Sequence, residues 1–537
     1  MSWLLLAALI PGPDAAPAEA KLPITGLAPA KYFPGLCGVS YRITTNSPDC
    51  QKFFDQGLGY WYSYVWMESA RSFETAIRYD PDCAMAWWGL ARALEHYKGD
   101  ANKATQKAYD LRDKASDRER RLILARMQEK GLLPGVGDPE KRRKLAIATI
   151  DEMLALYDDD EEAWYYRAQL DGGAKLFGGT ASSVPFYKAL LRVNPMHPGA
   201  NHELLHYYES FHRPALGWVY AENYIKSSPG IPHPFHMQAH LATRLGRWDK
   251  TSDRSAHAID LERAYHKEMN VAPKDDPQFD HHMEILTRSL IHDGRFREGR
   301  AIQKEAWDAG LRHWEQWFRL YLAARDYDEA LKIVDHFRKG DKLTAAYMAA
   351  QVYLAEGDAE RATPEVETLQ HAFAEKKDDR KLEARLWEVQ GELMCRTGGV
   401  DAGLKLLAKC VEKTKNDFFY HSWGGGAYFM EIWGTEALHG GRLDVAEEAF
   451  LEALAHDPGS VRGALGMQVL CERQGRSEEA RRFAELARKC WNRADSADFA
   501  AELAAMRGQS FTTESQKTQR EDGPGAAKGK DTHQRPR

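Results

Sequence analysis

The stretch Gly441–Pro458 reads GRLDVAEEAFLEALAHDP, and Gly475–Cys490 reads GRSEEARRFAELARKC. Each opens Gly-Arg and places a small residue, Ala446 or Ala480, five positions after the glycine. The interval from Gly441 to Gly475 sets a period. Upstream, WMESARSFETAIRYDPDCAMAWWGLARAL from Trp66 follows the same plan, with Ser69, Phe73, Ala76 and Pro81, then Trp87, Leu90 and Ala91. ARDYDEA (324–330) and EGDAERA (356–362) supply further turns of the same kind. A fixed period of this length marks stacked supersecondary units, and apolar residues three and four apart mark helices. Runs of alternating β-branched residues bounded by turns, the signature of strands, do not stand out. The chain reads as all-α.

These spacings match the tetratricopeptide pattern. Small residues at positions 8, 20 and 27 let two helices approach, a glycine near 15 ends the first helix, and a proline at 32 ends the second. The expected architecture is a right-handed superhelical solenoid of helical hairpins. The tryptophans, Trp87, Trp88, Trp164 and Trp433 among them, fall mostly at or near position 4, where bulky residues pack between repeats. The predicted organisation is a candidate signal peptide (1–20), an extended leader (21–47), N-terminal repeats (48–195), histidine-rich repeats (196–300), C-terminal repeats (301–508) and a disordered tail (509–537). The tail has almost nothing apolar to bury. ATQKAYDLRDKASDRERRLILARMQEKG (104–131) sets charge around a Leu/Ile stripe and reads as a solvated helix with one buried face.

Composition narrows the partners. A formal net charge of −6 over 537 residues offers no basic surface for nucleic acid. No stretch reaches the roughly 18 to 20 apolar residues of a membrane span. The apolar run Trp3–Ile10 followed by Ala18-Glu19-Ala20 resembles a cleavable export signal, although a basic n-region is missing. A periplasmic or extracellular location is expected, with a cytoplasmic protein as the alternative. Seven cysteines form no C-x-x-C pair; Cys37, Cys50 and Cys83 can include a disulfide if the chain is exported.

Twelve of the 20 histidines lie between His197 and His292. Counting from Gly246 as position 15 puts His236 at 5 and His240 at 9. Counting back from Pro229 as position 32 puts His202 at 5 and His206 at 9. Each pair shares one helix face, and the second pair follows the first at the same interval that separates Gly441 from Gly475. First helices packing side by side at roughly 8 to 10 Å are then expected to gather four imidazoles in one hollow. Neutral imidazole suits zinc, copper, nickel and iron, so a divalent transition metal on His202, His206, His236 and His240 is the leading expectation. His197, His233 and Glu209 are possible additions to the shell. An anionic ligand on protonated imidazoles, or a pH-sensitive groove, are the other uses of such a cluster. Asp280-His281-His282 opens another first helix, where His281 either extends the polar strip or simply begins a solvated helix.

His202-Glu203-Leu204-Leu205-His206 is also an H-E-x-x-H string, which on a helix holds zinc in metalloproteases. Glu222, the obvious third ligand, falls near position 25 of the second helix and away from the pair. The repeated pair, His236-Met237-Gln238-Ala239-His240, carries no glutamate. A protease is not the expected reading.

HPGANHELLHYYE from His197 and HPFHMQAHLATRLGRW from His233, with FFDQGLGYWYSYVWMESARSF from Phe53, resemble a group of bacterial tetratricopeptide-repeat proteins that often carry export signals. There H-P-G-x-x-H-x-x-x-H is followed by H-M-P-x-H, and the likeness runs from about residue 40 to 505. The matching positions are His197, Pro198, Gly199, His202, His206, His236, Met237 and His240. Gln238 stands where the group has proline, and Glu203 where it more often has an aromatic. The resemblance implies the fold and a histidine strip, and no reaction. The expected function is an exported binding scaffold for a protein or peptide partner, with a histidine metal site in its groove. A metal-dependent hydrolase or oxidoreductase using the same histidines, and a scaffold without metal, are the alternatives.

Overall fold

The computed structural model of the chain describes residues 21–135, 137–172, 180–416 and 426–509, in which helices joined by turns follow a non-helical segment, with no strand among them. The expected signal segment and all of the expected tail beyond Gln509 lie outside the described residues. No described helix is long and apolar enough to cross a membrane. The chain divides into two compact units, Met1–Pro234 and Phe235–Arg537.

Within each unit, consecutive helices pack as antiparallel hairpins. In the first unit α1 (Pro48–Tyr62) packs on α2 (Trp66–Tyr79), α2 on α3 (Ala84–Leu94), and α1 lies beside α3. In the second, Tyr428–His439 packs on Leu443–His456, which packs on Val461–Arg473, with the first and third again side by side. Local sequence sets the ends. Proline opens α1, α9 (Pro198–Ser210), α10 (Pro214–Ser227), α11 (Pro232–Arg244) and α13 (Pro277–His292), where its missing N–H has no acceptor to lose. The glycine expected at the end of a first helix is in place: Gly357 caps Lys342–Glu356 at φ 81°. In ARDYDEA, which lacks a glycine there, Arg325 adopts the left-handed conformation itself at φ 55°.

The expected single helix over 104–131 is two, α4 (Ala101–Asp110) and α5 (Asp117–Lys130). Ser116 and Glu119 form a reciprocal capping box that starts α5. Residues 21–47 hold no helix and are tied along the first unit by polar contacts. Glu74 accepts from the N–H of Ile24 (2.5 Å) and of Thr25 (2.8 Å), and Gln56 reaches the carbonyl of Lys31 (2.9 Å).

Each unit holds a phenylalanine wedged between two glycines. Phe73 of α2 lies against Gly57 of α1 and Gly89 of α3, where an added Cβ would come within 2.8 and 2.5 Å of its ring. In the second unit Phe450 stands between Gly434 and Gly466, with corresponding distances of 2.6 and 2.3 Å. Glycine, phenylalanine and glycine are evenly spaced along the chain, and the spacing is the same in both wedges. Truncating the ring removes the wedge: Phe450→Ala should destabilise the second unit by about 3–5 kcal/mol. Gly466→Ala, which forces an overlap, should destabilise by about 1–3 kcal/mol. Urea unfolding of the two variants checks both values, and a neutral Gly466→Ala would show that the helices separate freely.

Candidate metal centres

In the first unit, α9 runs along the end of α1 because Gly199 lets it do so. A Cβ there would sit 2.5 Å from Tyr62 and 2.6 Å from Tyr165. Tyr62 is the last residue of α1, and helix ends leave carbonyls without an intrahelical donor. His202, fully buried on α9, places Nδ1 2.7 Å from the Tyr62 carbonyl oxygen. A carbonyl only accepts, so Nδ1 carries the proton and Nε2 keeps its lone pair. Burial, and then the neighbouring His206, hold the His202 imidazole well below its ordinary pKa, in the neutral form a metal requires.

That lone pair faces His233, from the first turn of α11, whose Nε2 lies 3.0 Å from His202 Nε2. His206 completes the group: one donor nitrogen from each of His202, His206 and His233 lies within 4.8 Å of the others. Two nitrogens 3.0 Å apart on metal bonds of about 2.1 Å subtend roughly 90°, the cis angle of an octahedral or square-planar ion. Aromatic rings wall the triad. Tyr64 stacks on His206 (5.9 Å, 14°) and touches His202 (4.5 Å), while Tyr224 stacks on His202 (4.8 Å, 20°). Tyr64 reaches this place from the α1–α2 turn in the left-handed conformation, φ 58°.

The second unit repeats the construction. His236 and His240 of α11 meet His281 of α13, with one nitrogen from each within 4.8 Å of the others. Ring centroids are 4.2 Å apart for His236 and His240, and 4.9 Å for His236 and His281. The side chain of His281 is 41% exposed, so this centre opens to solvent. Carboxylates stand where the first centre uses a carbonyl. His281 Nδ1 is 3.6 Å from Glu284, and His282, buried against His236, lies 2.8 Å from Glu262. Burial pushes the Glu284 carboxyl up, but His281, Arg288 and His313 outweigh it and bring it down to about 2. Burial raises Glu262.

The pairs expected to share one four-histidine hollow thus belong to different units, and within its own unit each is completed by a third histidine. His233, one of the possible additions, joins the first triad. Glu209 stands 3.8 Å from His206 Nδ1, placed to orient it. His197 plays a different part, as the N-cap of α9, and its Nδ1 accepts the N–H of Ala200 at 3.1 Å. Glu203, the would-be protease base, accepts from the hydroxyls of Tyr64 (2.8 Å) and Tyr165 (3.0 Å). Glu222 accepts from Trp218 (2.9 Å) and belongs to neither triad. Side-chain patterns do not point to the Tyr62 carbonyl or to the His282–Glu262 pair.

His197 carries a pH signature. Burial, then the Arg92 charge, lower it to about 3, so between that value and about 6.5 the unfolded chain binds a proton that the native one refuses. Native stability therefore falls as pH drops through about 6.5, by up to ~1.4 kcal/mol per pH unit for this one group, and the loss ends below the folded pKa. His197→Asn keeps a capping oxygen and removes the titration. It should flatten the acid limb of the stability–pH curve measured by urea unfolding, and an unchanged limb would assign acid sensitivity elsewhere.

Comparison with known proteins gives two segments that match the tetratricopeptide repeat family, residues 54–115 and 433–497, one in each unit. They contain the two glycine–phenylalanine–glycine wedges. No curated protein matches the chain. Among solved structures, yeast Tom70 is similar over 88% of this chain and 97% of its own, at 13% identity and a TM-score of 0.33.

Proposed function

We propose that the chain is a tetratricopeptide-type binding scaffold, exported from the cytoplasm, that carries two histidine centres for divalent transition metals and engages a protein or peptide partner. One observation carries the metal reading. The Tyr62 carbonyl fixes the His202 tautomer, so that a buried, neutral imidazole presents its lone pair to a second imidazole at 3.0 Å. Outer partners commonly orient metal-binding histidines in this way. All-imidazole donor sets suit zinc, copper, nickel or iron rather than calcium or magnesium. The repeat segments at both ends support the scaffold, and the Trp3–Ile10 run with Ala18-Glu19-Ala20 supports export.

A metal-dependent hydrolase or oxidoreductase would use the second centre, where half-exposed His281 leaves room for water or substrate at an open coordination position. Turnover by zinc- or iron-loaded protein that disappears in His281→Ala would favour this second reading.

Untagged protein, stripped of metal and titrated with Zn2+ by calorimetry at neutral pH, should bind one equivalent at each histidine centre. His202→Ala/His233→Ala should abolish one of these and His236→Ala/His240→Ala the other, and the single ligand variants should bind at least about 10-fold more weakly, since losing a ligand costs no less than losing an outer partner. At the His202 centre the fall of affinity with acid should come only well below the ordinary histidine range, because burial holds that imidazole neutral. A zinc stoichiometry that neither double substitution lowers would leave a scaffold without histidine-bound metal.

A further inference from the structure

A third group of donors lies in the first unit, away from the histidines in sequence. Cys50 in the first turn of α1, Asp80 at the end of α2 and Cys83 before α3 each offer one atom, and the three atoms lie within 4.8 Å of one another. Both cysteines are buried, while Asp80 borders the exposed Pro81 and Asp82.

The turn that leads into α3 recurs before other helices. Cys83 N–H bonds to the Asp80 carbonyl, Asp160 to Tyr157, His197 to Asn194, Ile231 to Ser228 and Ser460 to Asp457, all between 2.9 and 3.3 Å. Polar side chains in this place cap the helix that follows: Asp160 accepts from Ala163 (2.9 Å), His197 from Ala200 (3.1 Å) and Ser460 from Gly463 (2.8 Å). Ile231 fills it with an apolar side chain, and Cys83 with a thiol that makes no side-chain cap bond. A neutral thiol is a weak acceptor. A thiolate formed on metal binding suits this place, because the N-terminal end of a helix stabilises negative charge. Cys50, whose N–H bonds to Ser47, the N-cap of α1, sits at a second such end. The carboxylate is fixed as well: Asp80 Oδ2 accepts from Thr45 Oγ1 at 2.5 Å and Oδ1 from the N–H of Asp82 at 3.2 Å.

We propose that Cys50, Asp80 and Cys83 form a site for a thiophilic cation of the zinc or copper(I) class. Each thiol gives its proton to solvent as its metal–sulfur bond forms, and no group changes oxidation state. Metal–sulfur bonds of about 2.3 Å in a tetrahedral shell put two sulfurs roughly 3.8 Å apart, so the donors need close by no more than about 1 Å. Thr45 and the Asp82 N–H hold the carboxylate as outer partners do in metal sites.

Cadmium distinguishes this site from the imidazole centres, since only thiolate ligands give the ultraviolet sulfur-to-cadmium charge-transfer band. Full-length protein, reduced and metal-free, should develop that band on titration with Cd2+ and saturate at two thiolates per ion. Cys50→Ser and Cys83→Ser should each lose it, Cys410→Ser should keep it, and Zn2+ should compete it away. Asp80→Asn, which retains both thiols, should bind about tenfold more weakly, and keeps the test open if a serine variant misfolds. No band in the reduced protein, a band that survives Cys50→Ser or Cys83→Ser, an undiminished affinity in Asp80→Asn, or a Cys50–Cys83 disulfide formed in place of the cadmium complex would each overturn the proposal.

Discussion

Much of the structure depends on how closely neighbouring first helices can lie, and that distance is set by a ring wedged between glycines. Phe73 fills the space that side chains on Gly57 and Gly89 would need, and Phe450 does the same between Gly434 and Gly466. An aromatic ring buries a large apolar area, and without a Cβ opposite it the backbones of three helices close on it together. The rise and rotation from one hairpin to the next then become fixed quantities. Only under that condition does a period in sequence become a period in space, and only then do side chains at equivalent positions recur in equivalent surroundings.

The histidine centres draw on this regularity and on its interruptions. The first centre exists because α1 stops at Tyr62 and leaves a carbonyl to be satisfied; His202 satisfies it, and the bond decides which imidazole nitrogen faces inward. A backbone hydrogen-bond requirement has thereby determined the chemistry of a side chain far along the sequence. The second centre is built on the same pair positions but backed by Glu262 and Glu284. An ionised Glu284 beside it would favour a dication by charge as well as by coordination, whereas the first centre is walled by the rings of Tyr64 and Tyr224.

The helical period, the hairpins and the turn glycines are legible in the sequence because each is encoded within a single repeat. The His202/His206 and His236/His240 pairs are legible for the same reason. Their grouping is not: matching the pairs to each other assumes an unbroken array, whereas the division into units falls after Pro234, between His233 and His236. The third members, His233 and His281, both stand near position 2 of the next first helix, a relation visible in register once the pairs are seen to look forward rather than to each other. The Tyr62 carbonyl is beyond any reading of side chains, because it becomes available only where a helix ends. The break between α4 and α5 is written in the sequence as Ser116-Asp117-Arg118-Glu119, and the continuous charge pattern of 104–131 hides it. Cys83 shows the opposite case: in the sequence it is only a candidate disulfide partner, and its place beside Cys50 and Asp80 appears only in the fold.

Whether the first triad needs an ion to exist follows from its hydrogen bonds. With Nδ1–H of His202 donated to Tyr62, His233 can donate its Nε2–H to the His202 lone pair across the observed 3.0 Å. Both polar atoms of the fully buried ring are then satisfied by protein alone. The cost of an orphaned polar atom, about 1–3 kcal/mol, does not arise. The centre is therefore compatible with a folded chain before any metal arrives, unlike a zinc finger, whose folding is the binding event. An entering ion would have to break the imidazole–imidazole bond and shift the His233 proton to Nδ1, at a cost of about 0.5–1.5 kcal/mol for the hydrogen bond lost. The rings are already in place, so little further ordering is required. Metal binding on these terms would add stability by mass action to a structure that stands without it, and would leave the chain able to release the ion and remain folded.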